Sequence, residues 1–303
     1  MDYQAAHAAF FQPREDAPTP DVVAGATASR RLRDAAEPLA MHAVWSRRVN
    51  GVLAERGMDF LSSYVWGRAA SLGEPAPDVA AAAFAWFEPG FVRAMYDEGR
   101  SRVSRDDLLT LRTGAAVDGL QEILATEDVS EVADAADRLR RALDSLDMIG
   151  RPLFAGLRAL PWPAEPAGQL WRACDLLREY RGDGHIAAVA SSGLSPVEMN
   201  ILTELWVGLP LLSYTATRAW SEDQMGAAIV ALQKRGWVEG EELTEDGRVG
   251  RRAIEDRTDA AESALVTALG PDIDALAYLL DGWGQLCIEA DAFPPDPFKR
   301  WAG

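Results

Sequence analysis

The sequence contains little of several residue types that would indicate particular classes of protein. Two cysteines, Cys174 and Cys287, are too few for a disulfide framework or a cysteine-rich metal centre. The three histidines match no metal-binding spacing, and neither a glycine-rich phosphate loop nor a Gly-x-Ser-x-Gly motif occurs. No apolar run reaches the ~18 residues of a membrane-spanning helix, and no export signal is visible at the start. We therefore expect a soluble cytoplasmic protein with no metal, no cofactor and no membrane contact.

Positive charge is also scarce. The chain has 30 lysines and arginines against 47 aspartates and glutamates, which gives a net charge of −17 at pH 7. Only Lys234 and Lys299 are lysines, so arginine carries nearly all of the positive charge. A field of this sign opposes binding to nucleic acid or anionic lipid through bulk charge. Ten tryptophans are compatible with core packing and with an aromatic-lined pocket.

The hydrophobic periodicity predicts a mainly α-helical chain of two domains preceded by a tail. Residues 1–28 are rich in Pro, Ala and Asp and predict a flexible tail. Residues 29–160 predict an N-terminal all-α domain, in which Pro38 is expected to break or kink the first helix. The Pro-rich end of segment 150–166 predicts a domain boundary, and residues 161–303 form the second domain.

The second domain contains the pattern of a winged helix-turn-helix with a short β-hairpin wing. Ser195 with Glu198, and Ser221 with Gln224, are capping boxes that each predict the start of a helix. Two short strands are predicted around Gly240. The phrases Leu232-Gln-Lys-Arg-Gly236 and Leu243-Thr-Glu-Asp-Gly-Arg248 resemble the MarR-type winged-helix family, in which terminal helices form dimers. This resemblance implies a fold used to bind DNA, and a homodimer.

The whole chain is also similar to a bacterial family of about 300 residues that is labelled helix-turn-helix. The phrases that carry the resemblance include Gly67-Arg68-Ala69-Ala70, Gly150-Arg151-Pro152-Leu153, and Leu177-Arg178-Glu179 continuing to Arg181-Gly182-Asp183-Gly184-His185. The label describes a fold, so the resemblance implies no reaction.

The surface that would read DNA is acidic in this sequence. The predicted recognition helix begins with Glu222 and Asp223, where a helix that enters the major groove usually offers Arg, Lys, Asn or Ser. The wing tip reads Glu239-Gly240-Glu241-Glu242 and would repel the phosphate backbone. The nearest basic residues are Lys234, Arg235, Arg248, Arg251 and Arg252, past these positions. We therefore predict that the scaffold has lost its DNA-reading surface.

Polar residues between 178 and 185 form the first candidate site. Two glycines around Asp183 predict a helix break, with Asp183 capping a new helix and His185 in its first turn. His185 would then act as an acid or base oriented by Asp183, while Arg178 and Arg181 would clamp a carboxylate or phosphate. The alternative is structural: Asp183 caps, Arg181 pairs with an acid, and His185 bonds to backbone.

A second candidate site combines aromatic residues with a few polar ones in the first domain. Its members are His42, Tyr64, Trp66, Arg68, Trp86 and Glu88. Such a set suits a pocket for a small molecule of apolar or aromatic character, although core packing explains the aromatics equally well. The leading hypothesis is ligand binding, with or without catalysis, between the helical domain and the winged helix. The alternatives are a MarR-type ligand-responsive DNA-binding regulator and an acidic protein-interaction module.

Overall fold

The structure is a computed structural model that describes residues 1–12 and 26–302, and these residues are mainly helical. The first eleven helices are α1 (Tyr3–Phe10), α2 (Ala28–Ala40), α3 (His42–Trp45), α4 (Arg47–Ala54), α5 (Phe60–Ala69), α6 (Pro77–Phe84), α7 (Pro89–Arg102), α8 (Arg105–Ile123), α9 (Val129–Asp144), α10 (Pro152–Arg158) and α11 (Pro166–Ser191). They are followed by α12 (Pro196–Trp206), α13 (Glu222–Lys234), strands β1 (Val238–Glu239) and β2 (Glu242–Leu243), α14 (Glu245–Ala260), α15 (Ser263–Leu269), α16 (Ile273–Glu289) and α17 (Pro297–Ala302).

Part of the predicted flexible tail forms a helix instead. The carboxylate of Asp2 accepts a hydrogen bond from the backbone N–H of Ala5 and caps α1. Aromatic residues of α1 then pack on the body of the protein, because the ring centroids of Phe10 and Trp45 lie 5.4 Å apart. Residues 13–25 of the predicted tail lie outside the described residues.

The larger of the two main apolar cores is built around α2, which packs against α11 and α16. Helix α2 continues through Pro38 and ends two residues later, so the expected break does not occur there. Gly284 of α16 leaves space for the proline ring, since an added Cβ would lie 3.2 Å from Pro38 Cγ. This core includes residues from Leu32 to Tyr180 and again from Leu265 to Cys287. It therefore crosses the boundary predicted between residues 160 and 161.

The smaller core belongs to residues 188–254 and is formed by α12, α13, the hairpin and α14. Both predicted capping boxes are confirmed, with Ser195 and Ser221 as the capping residues. The predicted strands are also confirmed: Glu239 pairs with Glu242, and Gly240 between them has φ of +58°. Tight turns favour glycine at such angles.

A single 26-residue helix, α11, connects the two cores. The break predicted around Asp183 is wrong, because residues 181–185 lie inside this helix. The glycine at 184 has a packing reason, since an added Cβ would lie 2.9 Å from Nη1 of Arg151. The Arg151 guanidinium lies 3.6 Å from the Tyr180 ring centroid and donates to the backbone oxygen of Ala261. Glycine there permits close approach rather than ending the helix.

One segment, Ser263–Glu289, is long and apolar enough to cross a membrane by length and composition alone, with a mean hydropathy of 1.3. In this structure α16 buries Leu276, Leu280 and Trp283 in the larger core, where it packs against α2. Core helices satisfy the same criterion, so one such segment is weak evidence for a membrane span.

Candidate functional site

A cavity of about 100 Å³ lies where the two cores meet, beside the middle of α11. We call it the junction cavity. Its walls come from α2, α5, α6, α10, α11, α12, α14 and α17 and from the 3-10 turn Thr215–Arg218. Its charged lining residues are Arg30, Arg33, Arg68, Arg178, Arg181, Arg218, Arg251, Glu179 and Glu255. Seven arginines around one enclosed space are unusual in a chain of net charge −17.

The junction cavity combines the two candidate sites that the sequence suggested separately. Six predicted residues line it: Arg178, Arg181, His185, Tyr64, Arg68 and Trp86. The first three lie on α11, while Tyr64 and Arg68 share one face of α5. Trp86 follows α6, and its ring centroid lies 5.4 Å from that of His185. Residues far apart in the sequence therefore form one continuous wall.

Four other predicted site residues do not line this cavity. Asp183 accepts a hydrogen bond of 2.9 Å from the backbone N–H of Phe154 and so caps α10 instead of orienting His185. Glu88 caps α7 by accepting from the N–H of Phe91. Trp66 is fully buried and donates from Nε1 to the backbone oxygen of Val103. Each has a structural role that accounts for its residue type.

His42 is the fourth of these residues and lies in the larger core. It is almost fully buried, and Gly119 of α8 packs so closely that an added Cβ would lie 2.9 Å from His42 Nε2. Burial lowers the pKa of His42 to about 4. The ring is therefore a neutral packing element at physiological pH.

One wall of the cavity is an ion-pair chain centred on Glu179. Arg68 binds Glu179 through two parallel hydrogen bonds of 3.0 and 2.9 Å, and also donates to the Tyr64 hydroxyl. Arg178 bridges Glu179 and Glu37, with both contacts at 3.0 Å. The flanking guanidiniums lower the pKa of Glu179 against the opposing effect of burial. Glu179 thus holds Arg68 and Arg178 in fixed positions at the cavity edge.

A second chain connects α11 to α14. Arg181 contacts three carboxylates, those of Glu255 at 2.5 Å, Asp259 at 2.8 Å and Glu262. Glu255 also accepts from Arg30 at 3.0 Å and Arg251 at 2.8 Å. Although burial acts to raise the pKa of Glu255, these arginines hold it well below the usual range. The α11–α14 contact therefore depends on buried charge pairs.

Arg218 differs from the other arginines of the junction cavity, and no motif in the sequence distinguishes it. The residues that the structure describes offer it no carboxylate partner, and its buried Nε has no hydrogen-bond partner among them. Its guanidinium lies over two aromatic rings, 4.2 Å from the Tyr214 centroid and 4.6 Å from that of Phe87. Such stacking orients a cation but leaves its donors unused.

His185 is held by α14 rather than by Asp183. Its Nδ1 lies 2.9 Å from the Thr258 hydroxyl, and that hydroxyl donates its one proton to the backbone oxygen of Ile254. Burial, reinforced by nearby Arg251, lowers the pKa of His185 to about 3. The imidazole is therefore neutral and a weak proton acceptor at neutral pH, which suits hydrogen bonding better than acid–base catalysis.

Several residues of the site were not predicted as such, namely Arg30, Arg33, Glu179, Tyr214, Arg218 and Glu255. The i,i+4 spacings of Arg30 with Asp34, of Arg33 with Glu37 and of Arg251 with Glu255 indicate local ion pairs in the sequence. These spacings do not indicate that α2, α11 and α14 meet.

A larger groove of about 890 Å³ lies outside the smaller core, between the end of α12, the hairpin and α14. It is open to solvent, and its charged lining residues are Glu241, Glu242, Glu245, Asp256, Arg248 and Arg252. Because acids and bases are mixed there and none of the predicted site residues lines it, we place the candidate site in the junction cavity.

Comparisons with known proteins agree with the helical architecture. Searches of curated proteins and of solved structures found no match. A family described as "Helix-turn-helix family" matches residues 29–294, which include both cores and the junction cavity between them. The chain belongs to this helix-turn-helix family.

Proposed function

We propose that this protein binds a small anionic molecule with a short apolar part in the junction cavity. The observation that carries the proposal is the set of seven arginines around this cavity in a strongly acidic chain. Their carboxylate partners are six: Asp34, Glu37, Glu179, Glu255, Asp259 and Glu262. One positive charge is left over among the described residues, and it lies on Arg218.

The size of the cavity limits the ligand. Drug-sized ligands occupy pockets of roughly 300–1,000 Å³, and a closed cavity of about 150 Å³ accommodates benzene. At about 100 Å³ the junction cavity suits a molecule of only a few nonhydrogen atoms. The rings of Phe84, Trp86 and Phe87 in its wall favour an apolar portion opposite the charge.

We further propose that residues 195–260 form a winged helix that no longer reads DNA. Two helices, a two-stranded hairpin and a following helix support the fold assignment. At the start of α13, Glu222 and Asp223 are exposed, and across the hairpin Glu239 lies directly opposite Glu242. Carboxylates at both positions oppose the counterion release that drives binding to a polyanion.

Calorimetric titration with propionate, benzoate and inorganic phosphate tests the binding proposal. We expect at least one of these anions to bind, and Arg218→Gln to weaken it about tenfold or more, as for loss of a charge-assisted hydrogen bond. The matched control is Arg248→Gln, which removes an exposed arginine outside the junction cavity. No binding of any of the three anions, or equal weakening by both variants, would contradict the proposal.

The second candidate function is a MarR-type ligand-responsive transcription regulator that acts as a homodimer. The order of helices and hairpin and the helix-turn-helix family favour it. A regulator must shift duplex DNA at physiological salt, and its binding constant must fall steeply as salt rises. We expect only weak binding that does not depend on DNA sequence. A sequence-specific complex would favour the regulator instead.

A further inference from the structure

We propose that the molecule bound in the junction cavity is a small hydroxy acid, in which Arg218 holds the carboxylate and His185 Nε2 accepts a hydrogen bond from the hydroxyl. This inference rests on the proposed function and names the class of its ligand. It depends on which nitrogen of His185 carries the proton, and the neighbouring hydrogen bonds determine that.

Thr258 fixes the tautomer of His185. A threonine hydroxyl has one proton to donate. Thr258 gives this proton to the backbone oxygen of Ile254, which can only accept. The contact of 2.9 Å between Thr258 Oγ1 and His185 Nδ1 therefore requires Nδ1 to donate. In a neutral ring Nε2 is then left without a proton and presents a lone pair.

The lone pair of Nε2 is available to a ligand. His185 lines the junction cavity, and within residues 1–12 and 26–302 no group forms a hydrogen bond with Nε2. Binding a simple anion needs only hydrogen-bond donors, such as the arginines of the cavity. The Nε2 acceptor of His185 therefore indicates that the ligand carries a further group besides its anionic one. The complementary group on a ligand is a hydrogen-bond donor.

A hydroxyl fits this position better than an ammonium group. Burial is the main cause that disfavours a proton on the ring of His185, and the positive charges of Arg251, Arg181 and Arg30 add to it while Glu255 opposes them. The same charges would repel an ammonium, whereas a neutral hydroxyl donates without charge. Since the cavity admits only a few nonhydrogen atoms, hydroxyl and carboxylate must be separated by few bonds.

Lactate and propionate form a matched pair of probes, since they differ only in one hydroxyl. We expect one enantiomer of lactate to bind the full-length protein at least tenfold more tightly than propionate, because a site built around a hydroxyl discriminates against its absence. His185→Phe keeps a ring of similar shape but removes the acceptor. It should abolish this preference, so that lactate binds no more tightly than propionate to the variant.

The outcomes separate the inference from the proposed function. Equal affinities for lactate and propionate in the unsubstituted protein overturn the hydroxy-acid inference and leave anion binding intact. Failure of both to bind overturns the inference directly, and it also counts against anion binding if benzoate and phosphate fail as well. If His185→Phe still prefers lactate to propionate, a group other than His185 accepts the hydrogen bond from the hydroxyl, and this result also overturns the inference.

A second measurement uses the unsubstituted protein. The ¹⁵N resonances of imidazole rings distinguish protonated from unprotonated nitrogens, and the chain has only three histidines. We expect a protonated Nδ1 and an unprotonated Nε2 for His185 at neutral pH, with a change in the Nε2 resonance on addition of lactate but not of propionate. A protonated Nε2 would refute the tautomer and the inference with it.

Discussion

Replacing Arg181 by methionine tests how the two cores are held together. The guanidinium is buried and contacts Glu255, Asp259 and Glu262. Two of these acids keep other partners after the substitution, since Glu255 retains Arg30 and Arg251 and Asp259 retains the Thr27 hydroxyl at 2.9 Å. Glu262 is 1% exposed, keeps a hydrogen bond from the Ser29 side chain, and has no other arginine partner within the described residues. The cost therefore falls mainly on Glu262.

The expected loss of folding free energy comes from leaving one buried carboxylate, that of Glu262, without its arginine partner. Removing one partner of a buried ion pair destabilises a protein by about 3–5 kcal/mol, and a Coulomb energy of about 4 kcal/mol at 4 Å and an effective dielectric constant of 20 agrees. Burial already raises the pKa of Glu262 while Arg181 opposes that effect. Without Arg181 the pKa must rise further. The destabilisation relative to the unsubstituted protein should then be small at low pH, where Glu262 is protonated in both proteins, and should grow as the pH rises above the raised pKa that Glu262 has in the unsubstituted folded protein.

Urea unfolding of Arg181→Met and of the unsubstituted protein at pH 5 and pH 8 measures both effects. The double variant Arg181→Met with Glu262→Gln removes the stranded charge, and we expect it to recover about half or more of the loss at pH 8. A loss below about 1 kcal/mol, or no recovery in the double variant, would refute this account of the α11–α14 contact.

Two further predictions concern residues that the structure places outside the cavity. Asp183→Asn keeps an oxygen that accepts from the Phe154 N–H, but the new side chain cannot ionise. Burial raises the pKa of Asp183 to about 7. In the unsubstituted protein, ionisation of Asp183 therefore lowers the free energy of unfolding as the pH rises from 4 to 8. Unfolding followed across this range should show the variant gaining about 4 kcal/mol relative to the unsubstituted protein, and parallel curves would contradict the burial of this carboxyl. Gly119→Ala adds a methyl 2.9 Å from His42 Nε2 and should lower the free energy of unfolding by about 1–3 kcal/mol, with anion binding unchanged. A thermal melt identical to that of the unsubstituted protein would show that His42 is not tightly packed.

Local signals in the sequence predicted the smaller core well. Capping boxes at Ser195 and Ser221 and the turn at Gly240 depend on hydrogen bonds and backbone angles within a few residues. The helix break around Asp183 failed for the converse reason. Glycine inside a helix costs about 1 kcal/mol relative to alanine, and contacts with Arg151 and with the larger core outweigh this cost along α11.

The sequence indicated which residues belong to the candidate site better than it indicated how they are arranged. Arg178, Arg181 and His185 stood out as a polar group on an apolar helix, and Tyr64 and Arg68 as neighbours one turn apart. That these groups face each other depends on the packing of α5 and α11, which no local pattern specifies. Arg218 follows a loop without periodicity, so only its position over Tyr214 and Phe87 distinguishes it.

The uninterrupted course of α11 restricts how the molecule can respond to an occupant. A helix of 26 residues is about 39 Å long, and this one contributes side chains to both cores without a turn or proline between them. The helix is a rigid connection, so the two cores have no hinge along it. The junction cavity would then select its ligand by its fixed dimensions. Ligand binding would displace α11 slightly and would not rotate one core away from the other.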